Sequence, residues 1–215
     1  MTIHALLSLL RTNHLMAERR EHNPKILLFH KPYNVLTKFT DEENRPTLTD
    51  YIPNEGVYAA GRLDMDSEGL LLLTDWGKLS YRLTDPEYAH PRSYWVQVDG
   101  APDEEALNKL RKGVELRDGL TRPVVAEIIS PPNIADRPVP IRYRANIPTT
   151  WLKLTLTEGK NRQIRRMTAH VGHPTLRIIR YSIGVLTLDG LKAGEYRHAD
   201  AREVQYLKDF MYRRS

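Results

Sequence analysis

The sequence contains no cysteine. That excludes a disulfide scaffold, thiolate metal sites, iron–sulfur clusters and a cysteine nucleophile, and it fits a reducing cytoplasm. No apolar run approaches the roughly 18–20 residues that a membrane span needs, so no membrane partner is expected. The apolar block from Ile3 to Leu10 has no positive segment before it and no small-residue cleavage pattern after it, unlike a secretory signal. Internal repeats, low-complexity tracts and coiled-coil seams are missing too, and a monomer is expected. There is no glycine-rich phosphate loop and no dinucleotide-binding glycine pattern. His170 and His173 lack a clear third partner, so they read as structural and no metal site is expected.

What is present is a globular composition. Of 215 residues, 40% are hydrophobic and 27% charged, enough to bury a core without staples. Basic residues number 32 against 27 acidic, a net +5, which permits an anionic partner without demanding one. Strands are predicted over Lys25–His30, Val57–Ala60, Leu70–Thr74, Ser93–Val98, Val114–Leu116, Val124–Ile129, Trp151–Thr157 and Leu176–Tyr181. Helices are predicted over Trp76–Leu83, Pro102–Lys112 and Asp200–Arg213, and from an Asn161 N-cap to about Val171; Thr47–Ile52 reads as one helical turn. Asp118-Gly119 should turn the chain between Val114–Leu116 and Val124–Ile129, and residues 131–148, with five prolines, should be an irregular loop. Strands and helices do not alternate regularly. The expected class is α+β with a mainly antiparallel sheet, formed by residues 24–213 behind a tail or short helix at 1–23.

Two segments carry candidate chemistry. In Arg62-Leu63-Asp64-Met65-Asp66-Ser67-Glu68, three carboxylates and an arginine crowd a loop between apolar strands. The plain alternative is a surface turn whose acids cap backbone amides. Asp64, Asp66, Glu68, Gly69 and Asp75 fall near calcium-loop spacing, but Leu72 occupies a ligand position and the flanks read as strands. A glycosidase pair of Asp64 and Glu68 is a further option, with no saccharide platform in view. The second segment runs from Lys160 to Arg180. It holds Lys160, Arg162, Arg165, Arg166, Arg177 and Arg180 and no acid, at the start of a predicted helix. A solvated helix face would account for it; so would a surface that tracks phosphates.

Together, Gly61-Arg62-Leu63-Asp64-Met65-Asp66-Ser67-Glu68-Gly69-Leu70-Leu71-Leu72-Leu73-Thr74, Ser93-Tyr94-Trp95-Val96-Gln97-Val98-Asp99-Gly100 and Glu158-Gly159-Lys160-Asn161-Arg162-Gln163-Ile164-Arg165-Arg166-Met167 resemble the RsuA-type pseudouridine synthases, which modify ribosomal RNA. The likeness covers roughly residues 25–190. Lys31-Pro32-Tyr33, residues 147–152 and residues 168–176 narrow it to a branch acting on the large ribosomal subunit. There are two departures. The 23 residues before the predicted fold are too few for the S4 RNA-binding domain of many relatives, and Arg92 stands where relatives usually have lysine.

The resemblance implies two subdomains around a central RNA-binding cleft. It implies isomerisation of a uridine in 23S ribosomal RNA or a large-subunit precursor, without a cofactor because nothing is added or lost. Asp64 would be the catalytic aspartate, Arg165 the cation that keeps it ionised, and Tyr94 the ring that stacks on uracil and helps remove the carbon 5 proton. Ile164 would floor the pocket. Lys160, Arg162 and Arg166 would contact phosphates, and Arg62 would do so or fill the gap left by the flipped base. A non-catalytic ribosome-assembly protein on the same fold is the alternative, and a carbohydrate hydrolase fits the basic segment poorly. If the basic segment tracks phosphates, RNA affinity falls steeply as salt is raised in filter binding. A flat response would count against a basic groove.

Overall fold

The computed structural model describes residues 23–53, 56–141 and 147–212. Of the expected tail at 1–23 only Asn23 is among them, exposed and without regular structure. Residues 142–146 of the expected irregular loop and Arg213, the expected end of the last helix, also lie outside the described residues.

The strands are β1 (Ile26–Lys31), β2 (Tyr58–Ala59), β3 (Glu68–Thr74), β4 (Arg92–Asp99), β5 (Glu115–Leu116), β6 (Gly119–Leu120), β7 (Val125–Ile129), β8 (Thr149–Leu156), β9 (Thr175–Ile183), β10 (Leu186–Thr187) and β11 (Tyr196–His198). Four α-helices accompany them: α1 (Gly77–Thr84), α2 (Glu104–Lys112), α3 (Gln163–His170) and α4 (Ala201–Tyr212). The main sheet runs β11-β1-β3-β9-β4-β8-β7, with β2 on β3 and β10 on β9. All its pairings are antiparallel except β3 with β9. The expected α+β class is thus observed.

The leucine run Leu70–Leu73 is a strand because both faces of β3 are covered. Leu70 and Leu72 join Ile26, Leu28, Leu79, Leu83, Ile179 and Leu207 beneath α1 and α4. Leu71 and Leu73 face the other way, onto Leu27, Phe29, Leu48 and Ile52. In the other half of the sheet, Val96, Val98, Leu152 and Leu154 pack against Leu107 and Leu110 of α2 and Met167 of α3. The helix expected from Pro102 begins at Glu104, because Asp103 caps it by accepting from the Ala106 amide at 2.8 Å, and Gly113 ends it.

The two halves join where β3 meets β9 in parallel, with Glu68 opposite Ile179 and Gly69 opposite Arg180. A Cβ on residue 69 would lie 2.4 Å from the backbone nitrogen and oxygen of Arg180, and Gly69 has φ +114°. Only glycine fits this contact.

Some local expectations change. β3 begins two residues early, at Glu68, because the parallel pairing extends it into the acidic loop. The strand after α2 closes a small hairpin with Gly119–Leu120 instead of pairing with β7. Asn161 does not cap α3. The cap position is Arg162, in the left-handed region at φ 46°, and the Gln163 side chain accepts from the Lys160 amide at 2.9 Å. The edge strand β11 is too short and too polar to stand out in sequence.

Gly69→Ala should destabilise the protein by about 3–5 kcal/mol in urea unfolding, from overpacking plus backbone strain. Gly77→Ala, which meets nothing within 4 Å, should leave stability within about 1 kcal/mol.

Candidate active site

The loop from Gly61 to Ser67 enters β3 at the seam, and several fixed donors hold it there. The Ser67 amide donates to the Asp64 carbonyl at 3.0 Å, tightening the turn. The Asn34 amide donates to the Met65 carbonyl at 2.8 Å, and the Thr37 hydroxyl to the Leu63 carbonyl at 3.1 Å. Beneath them lies Lys31, wholly buried. Its ammonium donates to the carbonyls of Pro32 at 2.9 Å, Val35 at 2.7 Å and Met65 at 3.4 Å. Burial pushes this ammonium down to about 8, against the pull of Glu68, Asp66 and Asp64.

Above the loop sits the start of α3. Arg162 forks onto Asp66, its Nη1 and Nη2 at 3.0 and 2.9 Å from the two carboxylate oxygens. The same guanidinium stands 3.6 Å from Asp64. Arg165 donates to the Asp66 carbonyl at 2.8 Å and lies 3.3 Å from its carboxylate. Burial alone would raise the Asp66 carboxyl, but Arg162 and Arg165 outweigh it and hold it below the usual range. The direct cationic neighbour of Asp64 is therefore Arg162. Arg165 acts on Asp64 from farther away, while Asp66 fixes Arg165 in place. The unusual backbone of Arg162 costs of order 1 kcal/mol. The charge-assisted fork to Asp66 gives that conformation a reason to persist.

Tyr94 on β4 opposes Arg180 on β9, at a register shift between Ser93 and Tyr94. Directly opposed residues share a sheet face, so both point to the same side as the loop. Ile164, on the first turn of α3, is buried beside them. Asp64, Tyr94, Ile164, Arg165 and Arg180 all line one cavity of about 470 Å³. That is room for a single nucleotide rather than a duplex, within the roughly 300–1,000 Å³ usual for small ligands. The Asp64 side chain is 38% exposed at its rim.

Residues 25–170 match the RNA pseudouridylate synthase family. The chain belongs to that family. It is 58% identical over 175 residues to ribosomal large subunit pseudouridine synthase E of Vibrio parahaemolyticus, covering 81% of this chain and 74% of the relative. It is 50% identical over 183 residues to the protein of that name from Xanthomonas campestris, covering 84% and 98%. A crystal structure of a pseudouridylate synthase superposes with a TM-score of 0.71 at 28% identity, covering 86% of this chain and 74% of that one. Both relatives carry the name of a large-subunit synthase, the kind of branch that Lys31-Pro32-Tyr33, residues 147–152 and residues 168–176 indicated.

Within this enzyme the sequence-derived residues divide clearly. Arg62, Lys160 and Arg162 line the cavity with the residues named above. Arg166 does not. It forks onto Asp118, with both nitrogens within 3.1 Å. The Lys160 ammonium donates to the carbonyls of Asp118, Gly119 and Leu120. Glu68 leaves the acidic loop altogether: it is buried in a forked pair with Arg177 at 2.8 and 2.7 Å. That removes the Asp64–Glu68 carboxylate pair as a glycosidase option. Much of the basic run is thus engaged with the protein's own acids and carbonyls. Among the described residues no group of three or more His, Asp or Glu could hold a metal ion, and no helix is long and apolar enough to cross a membrane.

Sequence reading assigned no part in the site to Asp66 or Lys31, and took Arg180 for part of a phosphate-tracking surface. Asp66 was visible inside the motif, and Lys31 in the Lys-Pro-Tyr segment, but their partners lie far along the chain.

Lys31 generates a pH prediction. Its folded value, about 8, lies below the 10.5 of the free side chain. The unfolded state then binds more protons between those limits, so the contribution of Lys31 to stability rises with pH. The stability of wild type minus that of Lys31→Met should grow by roughly 2–3 kcal/mol from pH 7 to pH 10 in urea unfolding. A constant difference would show that the ammonium is not desolvated.

Proposed function

We propose that this enzyme converts one uridine of 23S ribosomal RNA, free or in a large-subunit precursor, to pseudouridine, acting as a cytoplasmic monomer with residues 24–213 as the catalytic unit. The substrate reading draws on its likeness to large-subunit synthases. The observation that carries the chemistry is that Asp64, Tyr94, Ile164 and Arg165, from three distant segments, line one cavity.

The cavity lies inside the protein surface, so the target base leaves its stack to enter. Unstacking and unpairing cost a few kcal/mol. Arg62, exposed at the rim, and Arg162 are placed to meet the flanking phosphates or fill the gap. Lys160 and Arg166 contribute to RNA contact if their present partners give way. Tyr94 offers a ring face for stacking, above an apolar floor at Ile164.

The reaction breaks the bond between N1 and C1′, turns the uracil, and joins its carbon 5 to C1′. Carbon 5 loses a proton and N1 gains one, so nothing is added overall. Ionised Asp64 attacks C1′ or takes a proton from the neighbouring sugar carbon, and both routes use the same carboxylate at the rim. Arg162, 3.6 Å from this carboxylate, and Arg165 supply positive charge beside it as RNA seals the cavity. Tyr94 assists proton loss from carbon 5.

Tritium release from 5-labelled uridine in large-subunit RNA tests this. Wild type should release label, and Asp64→Asn should release at least about 1,000-fold more slowly, as for loss of a group central to the chemistry. Release by the variant at the wild-type rate removes Asp64 from the mechanism. Arg165→Ala should lose far more activity than RNA affinity, with filter binding run beside kinetics. Equal losses would make it a phosphate contact.

A further inference from the structure

Arg180 is the most deeply placed charge in the cavity wall. It is 3% exposed. Two of its nitrogens are held by the chain: Nε donates to the Leu70 carbonyl at 2.7 Å, and Nη1 reaches the Arg62 carbonyl at 3.5 Å. Nη2 is buried and has no hydrogen-bond partner in the protein. Burial lowers the affinity of this guanidinium for its proton, the charge and hydrogen-bonding of the Tyr94 phenol oppose that, and Arg92 adds like-charge repulsion. No carboxylate figures among these influences. A buried guanidinium with no carboxylate partner is costly, and a second arginine near it raises the cost. Such an arrangement complements an anion.

The anion must be one that can reach it. A phosphodiester lies in a strand that continues on both sides and is strongly hydrated. To meet Arg180 the strand would have to thread past Asp64 and return. The base is the flat, terminal part of a flipped nucleotide. With its sugar at Asp64 on the rim, its far edge enters first. The uracil is neutral in the ground state and negative after the N1–C1′ bond opens, when the bonding electron pair stays on the ring and spreads over O2 and O4. A guanidinium fixed in a dry wall stabilises charge that develops there without reorganising.

We propose that Arg180 is a further catalytic residue, whose unpartnered Nη2 engages a carbonyl of the target uracil and stabilises the uracil anion formed when the N1–C1′ bond breaks. This rests on the isomerase reading above. Carbon 5 of the anion then bonds to C1′, its proton leaves, and N1 takes one up. Arg180 exchanges no atom with the base. Gly69 is part of the same device, since its missing Cβ lets β9 approach closely enough to set Arg180 behind the loop.

A leaving-group comparison tests the assignment. Wild type, Arg180→Met and Arg180→Lys are mixed in excess with large-subunit RNA carrying either uridine or 5-fluorouridine. Loss of the N-nucleoside is followed by digestion and chromatography. Fluorine stabilises the uracil anion intrinsically, so its departure needs Arg180 less. Arg180→Met should slow uridine by about 100-fold or more, in the range for losing one fixed donor to a developing anion, and should slow 5-fluorouridine at least about tenfold less. Arg180→Lys should fall between, since a point charge replaces the fork. Equal slowing of both substrates, or none, overturns the proposal, because a merely structural role does not distinguish leaving groups. Should Arg180→Met fail to fold by circular dichroism, the same ratio is read from Arg180→Lys: a smaller effect on 5-fluorouridine supports the role, and equal slowing or none overturns it. Wild type that leaves uridine RNA unchanged sinks the isomerase reading itself. Turnover by wild type with equal slowing in the variants sinks only the role of Arg180.

Discussion

The close parallel contact of Gly69 with Arg180 is the constraint on which the rest depends. It is the single parallel pairing of the main sheet, and it joins the two halves. It brings the acidic loop, the tyrosine strand β4 and the first turn of α3 to one side of the sheet. Without it, Asp64 and Arg180 would belong to separate structures. A side chain at position 69 would push β9 outward, and the cavity wall would move with it.

Charge in this region is arranged in two layers. At the rim, Asp64 and Asp66 face Arg162 and Arg165, and each member has an opposite neighbour. Asp66 takes the direct contacts, which leaves Asp64 partly exposed with a cation near but not upon it. A carboxylate gripped as tightly as Asp66 would be a poorer nucleophile or base, because attack would first break those hydrogen bonds. Deeper in, Arg180 has Arg92 near it and no carboxylate among the groups that act on it. A nucleotide entering sugar-outward would meet a carboxylate at its ribose and guanidinium at its base. That polarity matches a reaction in which the sugar carbon becomes electron-poor and the base electron-rich.

Lys31 and the Glu68–Arg177 pair show how the loop stays in place. Both are buried charges that carry desolvation costs. Lys31 spends its three donors on backbone carbonyls of two segments, and Glu68 anchors the start of β3 to β9. These groups serve position more than net stability. Replacing any one leaves a buried partner unsatisfied, so the loop geometry is strongly specified.

Strand and helix periodicity and the crowding of charge at Arg62–Glu68 were legible because they are local: they follow from residue types a few positions apart. The same holds for the three ordered motifs, whose order and spacing mark the family. The boundary of β3, the left-handed Arg162 and the pairing of β5 with β6 were not legible, since partners elsewhere decide them. The roles of the basic run illustrate the limit best. In sequence, Arg162, Arg166, Arg177 and Arg180 look alike. In the structure one grips Asp66, one Asp118, one a buried glutamate, and one lies in the cavity wall with a buried nitrogen that has no hydrogen-bond partner. Sequence by itself determined the fold class, and the resemblance carried by its three ordered motifs pointed to the family and, through it, to Asp64, Tyr94 and Arg165 as candidates, because residue types and motif order are properties of the chain. Only tertiary structure decided which charge neutralises which, because Coulomb and hydrogen-bond energies depend on distances in space across a hundred residues of intervening chain.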